Sequence, residues 1–348
     1  MRELLDQYDA WRAEGREVGR AVVIRTYGSA PRQEGSVLLV ADDGRMIGSV
    51  SGGCVEGAAA EAVAEARRSG HSSVIRYGVS DELAWSVGLA CGGIIDVLVQ
   101  PSVPDDVLAA ARSQGDAGAA GLGATVVTEL PADTPPPAAD RTQGGSQSIT
   151  ALEGLRGDAL KSGRSRTVEL EDRSVFIEAF PVRPRLVVVG ATEIARSLVQ
   201  LAGALGYERI VIDARAAFAT PERFPDVERL IVDWPEEAFA SIDLGPNDAV
   251  AILSHDPKFD EPAILDAFRR GARYVGAIGS RKTQAERRRR LAESGLSDDQ
   301  LAALHGPIGL DLGGREPAET ALAILAEIVA ARRGGSGAPM IARAPVEA

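Results

Sequence analysis

Apolar positions follow two different rules along this chain. Up to about residue 100, short apolar runs are broken by glycine-bearing turns, whereas from Arg185 onward continuous apolar runs alternate with amphipathic helical ones. In the first region a charged helix over about 2–14 precedes "GRAVVIRTYG", which reads as a buried strand. "SVLLVADDGRMIGSV" then reads as two strands joined by an Asp-Gly turn. "CVEGAAAEAVAEARRSG" has helix formers, acid early, base late and a terminal glycine, which predicts a helix over about 54–69. Strands are expected at 73–79 and 92–101, giving a mixed first domain with a mainly strand core.

The second region reads strand, helix, strand, helix: "RLVVVG", "EIARSLVQLAGALG", "RIVID", "RLIVD", "DAVAILS", "EPAILDAFRRG", "RYVGAIGS". Apolar strands between amphipathic helices imply a parallel sheet covered on both faces. The fold class expected is therefore α/β, with a mixed α+β N-terminal domain (1–101) followed by a doubly wound, Rossmann-like domain (184–333). Residues 102–183 read as a connecting region. Within it "RTVELEDRSVFIEAFPV" alternates like a hairpin, and 131–150, rich in Pro, Gly, Ser and Thr without an apolar period, is expected to be a flexible insertion. The tail 334–348 is expected to be mobile.

Composition narrows the function classes. The chain has 348 residues, 45% of them hydrophobic, and no window apolar enough to span a bilayer. A net charge of -12 argues against nucleic-acid and anionic-membrane partners. The basic run "SRKTQAERRRR" is the exception and reads as a solvated helix face. The charged N-terminus lacks the pattern of a secretory signal, so a cytoplasmic location is expected. With two cysteines and no CxxC pair, neither a disulfide scaffold nor a structural zinc site is expected.

Those cysteines are the first chemical candidates. Cys54 follows Gly52 and Gly53 at the mouth of the expected helix, where the dipole and unpaired N–H groups would favour a nucleophilic or metal-binding thiolate. Cys91 stands before Gly92 in "GLACGG", where small residues let a ligand approach.

In the second domain Gly190 and Ala195 fit the first and third positions of a G-x-G-x-x-G/A phosphate fingerprint, but Thr192 occupies the middle one and Glu193 adds negative charge. Asp213 stands where a ribose-binding acid belongs and equally suits an ordinary strand end. "LSHDPKFD" brings His255, Asp256, Lys258 and Asp260 to the carboxyl edge of the sheet. "GAIGSRKT" brings Ser280 and Arg281, and "GPIGLDLGG" brings Asp311. This layout suits an anionic ligand held by N–H and guanidinium donors, with Arg281 the better phosphate ligand because its planar fork donates two parallel bonds.

The motifs "GSVSGGCVE", "GLACGG", "LSHDPKFD", "YVGAIGSRKT" and "PIGLDLGGREPAETALAILAEI", in this order, resemble the XdhC/CoxI family over the first hundred residues and 184–332. The family comprises accessory proteins that mature molybdenum hydroxylases such as xanthine and carbon monoxide dehydrogenases. The resemblance implies that molybdenum cofactor (molybdopterin) is bound as cargo, protected during sulfuration and delivered to an apo molybdenum hydroxylase. The family's cysteine and glycine motif falls on Gly52, Gly53 and Cys54, and its second cysteine on Cys91. A cysteine desulfurase or cofactor-synthesis proteins would be further partners, and a homodimer is the expected assembly. On this reading the chain is a chaperone rather than a catalyst, with no resident metal. If both domains serve one ligand, His255, Lys258 and Arg281 are expected to face Cys54. Two alternatives stay open: an NAD(P)-dependent oxidoreductase resting on Gly190 and Asp213, and a sulfurtransferase carrying a persulfide on Cys54.

Overall fold

The computed structural model describes residues 1–78, 92–113, 123–137 and 151–342. They form two compact units that divide between Val182 and Arg183. Cys91 lies outside the described residues, as do 138–150 and 343–348.

The first unit begins with α1 (Leu5–Ala13), β1 (Val18–Tyr27), β2 (Val37–Ala41), β3 (Met46–Gly48), α2 (Glu56–Ser69), β4 (Ser73–Tyr77) and β5 (Ile94–Gln100). The strands pair antiparallel in the order β3-β2-β1-β5-β4. Central β1 is apolar on both faces because both are covered. Ala21 and Val23 pack with Ala59 and Val63 of α2, while Val22 and Ile24 pack with Tyr8 and Trp11 of α1.

Residues 102–183 do more than connect. They supply α3 (Asp105–Ser113), β6 (Gly123–Glu129), α4 (Leu152–Ser162), β7 (Arg166–Glu169) and β8 (Ser174–Pro181) to the same compact unit. The expected hairpin is β7–β8, and β6 joins it in a three-stranded sheet whose Phe176 and Phe180 enter the core beneath β1. Where 131–150 was expected to be a flexible insertion, its described part, 131–137, is tied down. The carbonyls of Pro135 and Pro136 accept from Arg25 (3.0 Å) and Arg76 (2.6 Å). Hydrogen bonds to distant arginines leave no trace in local apolar periodicity.

Three registers place the loops. Tyr27 pairs with Ile94, Leu38 with Gly48 and Tyr77 with Ile95, so 28–36, 49–55 and the segment ending at Gly93 all leave one end of the five-stranded sheet.

The second unit runs β9 (Arg185–Val189), α5 (Glu193–Ala204), β10 (Glu208–Ile212), β11 (Arg229–Ile231), α6 (Pro235–Ala240), β12 (Ala249–Ile252), α7 (Pro257–Arg269), β13 (Tyr274–Ala277), α8 (Arg281–Glu293), α9 (Asp298–Ala303), β14 (Leu304–His305) and α10 (Pro317–Arg333). Its six parallel strands lie in the order β11-β10-β9-β12-β13-β14. One face is covered by α5 and α10, the other by α6, α7 and α8. This is the doubly wound arrangement, with its switch point between β9 and β12. Asp256 caps α7 and Pro257 opens it, so Lys258 and Asp260 lie within the first turn of that helix. Among the described residues no helix is long and apolar enough to cross a membrane.

Candidate functional site

In the first unit the "GSVSGGCVE" loop is folded around its own carboxylate. Glu56 Oε1 accepts from the backbone N–H groups of Val50 (3.2 Å), Ser51 (2.9 Å) and Gly52 (3.1 Å) and from the Ser49 hydroxyl (2.6 Å). Its Oε2 accepts from Gly53 N–H (2.8 Å) and the Ser51 hydroxyl (2.6 Å). Partial burial pushes this carboxyl up, but the two hydroxyls and the N–H groups outweigh it and bring it down to about 2. Gly52 at φ +81° and Gly53 at φ +118° take backbone conformations that L side chains rarely adopt. Val50 and Val55, both fully buried, anchor the loop on either side.

Cys54 is exposed. It stands two residues before α2 begins, and the N–H groups expected to be unpaired around it are engaged: those of Cys54 and Val55 both donate to Ser51 Oγ at 2.9 Å. Gly92 is exposed at φ +72°. A Cβ on its neighbour Gly93 would fall 2.6 Å from the Ser29 carbonyl oxygen, and one on Gly52 would fall 3.9 Å from Pro31. The 28–36 loop therefore packs against both glycine loops. It lines an open cavity of about 410 Å³ with Thr26, Gly28, Ala30, Pro31, Arg32, Gln33 and Ser36.

In the second unit Gly190, Asp213, His255, Asp256, Ser280, Arg281 and Asp311 all follow parallel strands at the carboxyl edge, with Lys258 in the first turn of α7. Gly190 has φ +108°, and a Cβ there would fall 2.7 Å from the Ser254 backbone nitrogen, so it serves strand-to-strand contact at the switch point. Thr192 caps α5 by accepting from Ala195 N–H at 3.2 Å. Asp213, 1% exposed, accepts from Ala191 N–H (2.8 Å), Arg215 N–H (2.9 Å) and the Arg215 guanidinium (2.7 and 2.9 Å). Burial pushes its carboxyl up, yet these donors hold it below the usual range. The acceptor that a dinucleotide ribose would need is thus engaged within the protein, and so is the Ala191 N–H of the glycine loop.

His255, Asp256, Lys258, Ser280, Arg281 and Asp311 are exposed. Ser280 caps α8 by accepting from Thr283 N–H, while Lys258 and Arg281 have no ion-pair partner among the described residues. Beneath them runs a buried network that the sequence reading did not assemble. Asp260 is hydrogen-bonded to the Ser254 hydroxyl and ion-paired with Arg287 at 2.5 Å, and Arg287 also donates to Gln284 (2.9 Å) and to the Ile278 carbonyl (3.0 Å). Burial pushes the Asp260 carboxyl up against the pull of these donors. The network fixes the ends of β12 and β13 relative to each other. Glu327 fixes the loop carrying Asp311, accepting from Gly309 N–H (2.8 Å) and Tyr274 Oη (2.5 Å).

Family models match both units: "XdhC and CoxI family" over residues 11–78 and "XdhC Rossmann domain" over residues 186–328. The chain belongs to the XdhC and CoxI family. It is 27% identical to a Bacillus subtilis protein named as a probable xanthine dehydrogenase subunit, over 93% of this chain and 96% of that protein. It is also 27% identical to the molybdenum cofactor insertion chaperone PaoD of Escherichia coli, over 89% of this chain and 82% of PaoD. A crystal structure described as a xanthine dehydrogenase from Bacillus halodurans superposes with a TM-score of 0.70 at 25% identity, over 97% of both chains.

The residues missed from sequence are chiefly Glu56 and Arg287. Glu56 lies five residues after Ser51, outside the serine-to-glutamate spacing of a capping box, so nothing local marks it. Arg287 sits in a run of arginines whose other members are partly or fully exposed, and only the fold separates it from them.

Proposed function

We propose that this chain is a molybdenum hydroxylase maturation factor that binds molybdenum cofactor as cargo, shields it during sulfuration and hands it to an apo molybdenum hydroxylase in the cytoplasm. The observation that carries the reading is Cys54: an exposed thiol on a loop folded around Glu56, whose Gly52 lies against Pro31 of an open cavity's wall. Kinship with PaoD, named as an insertion chaperone, supports it. In this reading Cys54, with Cys91, meets the metal end of the cargo, and Gly52, Gly53 and Gly92 keep that space free of side chains. Taken by itself, the carboxyl edge of the second unit, where Ser280, Arg281, Lys258 and His255 stand exposed among loops carrying Gly190, Asp213, Asp256 and Asp311, suits a phosphate or other anionic group.

The test is purification after co-expression with the cofactor-synthesis proteins, followed by oxidation of the extract and measurement of pterin fluorescence. Wild type should carry pterin and Cys54→Ser should not. Wild-type fluorescence no higher than that of Cys54→Ser would overturn the proposal.

The exposure of Cys54 also favours a second reading, in which it takes a sulfur from a desulfurase persulfide and carries it to the cargo. Mass spectrometry after incubation with a cysteine desulfurase and cysteine should show one added sulfur on the Cys54 peptide. Its absence would leave the thiol as a ligand alone.

A further inference from the structure

Every backbone N–H from Val50 to Val55 is committed: four to Glu56 and two to Ser51 Oγ. An oxyanion arriving beside Cys54 therefore finds no free N–H group in that loop. It also meets a chain of net charge -12, which repels it at long range. A cationic side chain from another segment could hold such a group next to the thiol.

Arg32 is such a side chain. It lines the 410 Å³ cavity together with Thr26, Pro31, Gln33 and Ser36, and Pro31 is the residue that faces Gly52. It also borders a second polar cavity of about 340 Å³, on whose wall lies Ser49 of the Cys54 loop. Arg32 is exposed and makes no hydrogen bond or ion pair among the described residues, whereas the nearby acid Glu34 is spent on Thr26, accepting from its N–H (3.1 Å) and its hydroxyl (2.7 Å). A guanidinium offers five N–H donors in a planar fork suited to two oxygens of one tetrahedral or oxo group. We infer that Arg32 is an oxyanion-binding residue of the first unit, holding an oxygen-rich anionic end of the ligand, phosphate ester or oxo-molybdenum, beside Cys54. The nature of the ligand rests on the proposed function; the oxyanion site itself does not.

The experiment compares alkylation of Cys54 by anionic iodoacetate and neutral iodoacetamide in the full chain, with peptide mass spectrometry separating the adduct at Cys54 from that at Cys91. In Arg32→Ala the iodoacetate-to-iodoacetamide rate ratio should fall about twofold at low salt, the order expected when one water-exposed charge is removed from the surroundings of the reacting thiol. Arg32→Lys should keep the ratio. In wild type, phosphate or molybdate should lower the ratio to the Arg32→Ala value beyond the effect of chloride at equal ionic strength. The anion acting at the lower concentration identifies which group is held, and Arg32→Lys should respond more weakly because it lacks the fork. A ratio unchanged in Arg32→Ala, or oxyanions acting equally on wild type and Arg32→Ala, would overturn the inference. Absence of pterin from wild-type protein would sink the cargo reading while leaving these rates to decide Arg32 on their own.

Discussion

Both units contain a glycine-bearing loop with backbone N–H groups turned inward, and in both the occupant is one of the protein's own carboxylates. In the first unit Glu56 fills the Cys54 loop and remains partly exposed, and what it organises is an exposed thiol. In the second unit Asp213 takes the Ala191 N–H and is sealed beneath Arg215, with nothing reactive presented by that loop. The same device thus has opposite consequences. One loop is stiffened to display a side chain, and the other is closed at the point where doubly wound folds hold a nucleotide. Family resemblance alone makes both loops look like binding loops; the hydrogen bonds distinguish them.

Substitutions can break this contrast or sharpen it. The largest stability effect should come from Arg287→Ala, beneath the second unit's edge. Removing one partner of a buried pair leaves Asp260 uncompensated, and a loss of about 3 to 5 kcal/mol is expected in denaturant melts. Asp213→Ala should cost roughly 2 kcal/mol, because it orphans the buried Ala191 N–H and one face of Arg215. If it instead opened a nucleotide site, saturable NAD(H) binding absent from wild type would appear in calorimetry.

Glu56→Gln should cost about 1 to 2 kcal/mol, kept modest by solvent screening, and should speed alkylation of Cys54 as the loop loosens. Its pH signature separates it from the other variants. The folded-state value of about 2 lies below the ordinary 4.5, so the carboxylate's contribution is fully present above about 4.5 and is lost as pH falls toward 2. Wild type should lose that increment on acidification, and Glu56→Gln should show none of it. Smallest in stability is Arg281→Ala, an exposed side chain without an ion-pair partner among the described residues, whose melt should match wild type. Cargo retention should nevertheless weaken by roughly 1.5 to 3 kcal/mol, the range for a hydrogen bond to a charged group. Unchanged pterin content in that variant would show that the second unit's edge does not hold the cargo.

Much of the architecture was legible because burial leaves a periodic record. The two-sided apolar run of β1 and the strand–helix alternation after Arg185 both follow from which faces must leave water. The motifs around Cys54, His255 and Arg281 also fixed the family and the two ends of sheet where chemistry is expected. What sequence could not decide was the pairing of polar groups. Glu56 looked like an ordinary acid of a first helical turn, Asp213 like a ribose ligand or a strand end, and Arg287 like one more solvated arginine. Residues 131–137 looked unable to order, yet two arginines distant in sequence hold their carbonyls. Burial is encoded residue by residue and repeats with the period of the backbone. A hydrogen bond depends on where two groups end up in space, so only the tertiary structure decided which carboxylates were spent on the fold and which polar groups were left for a ligand.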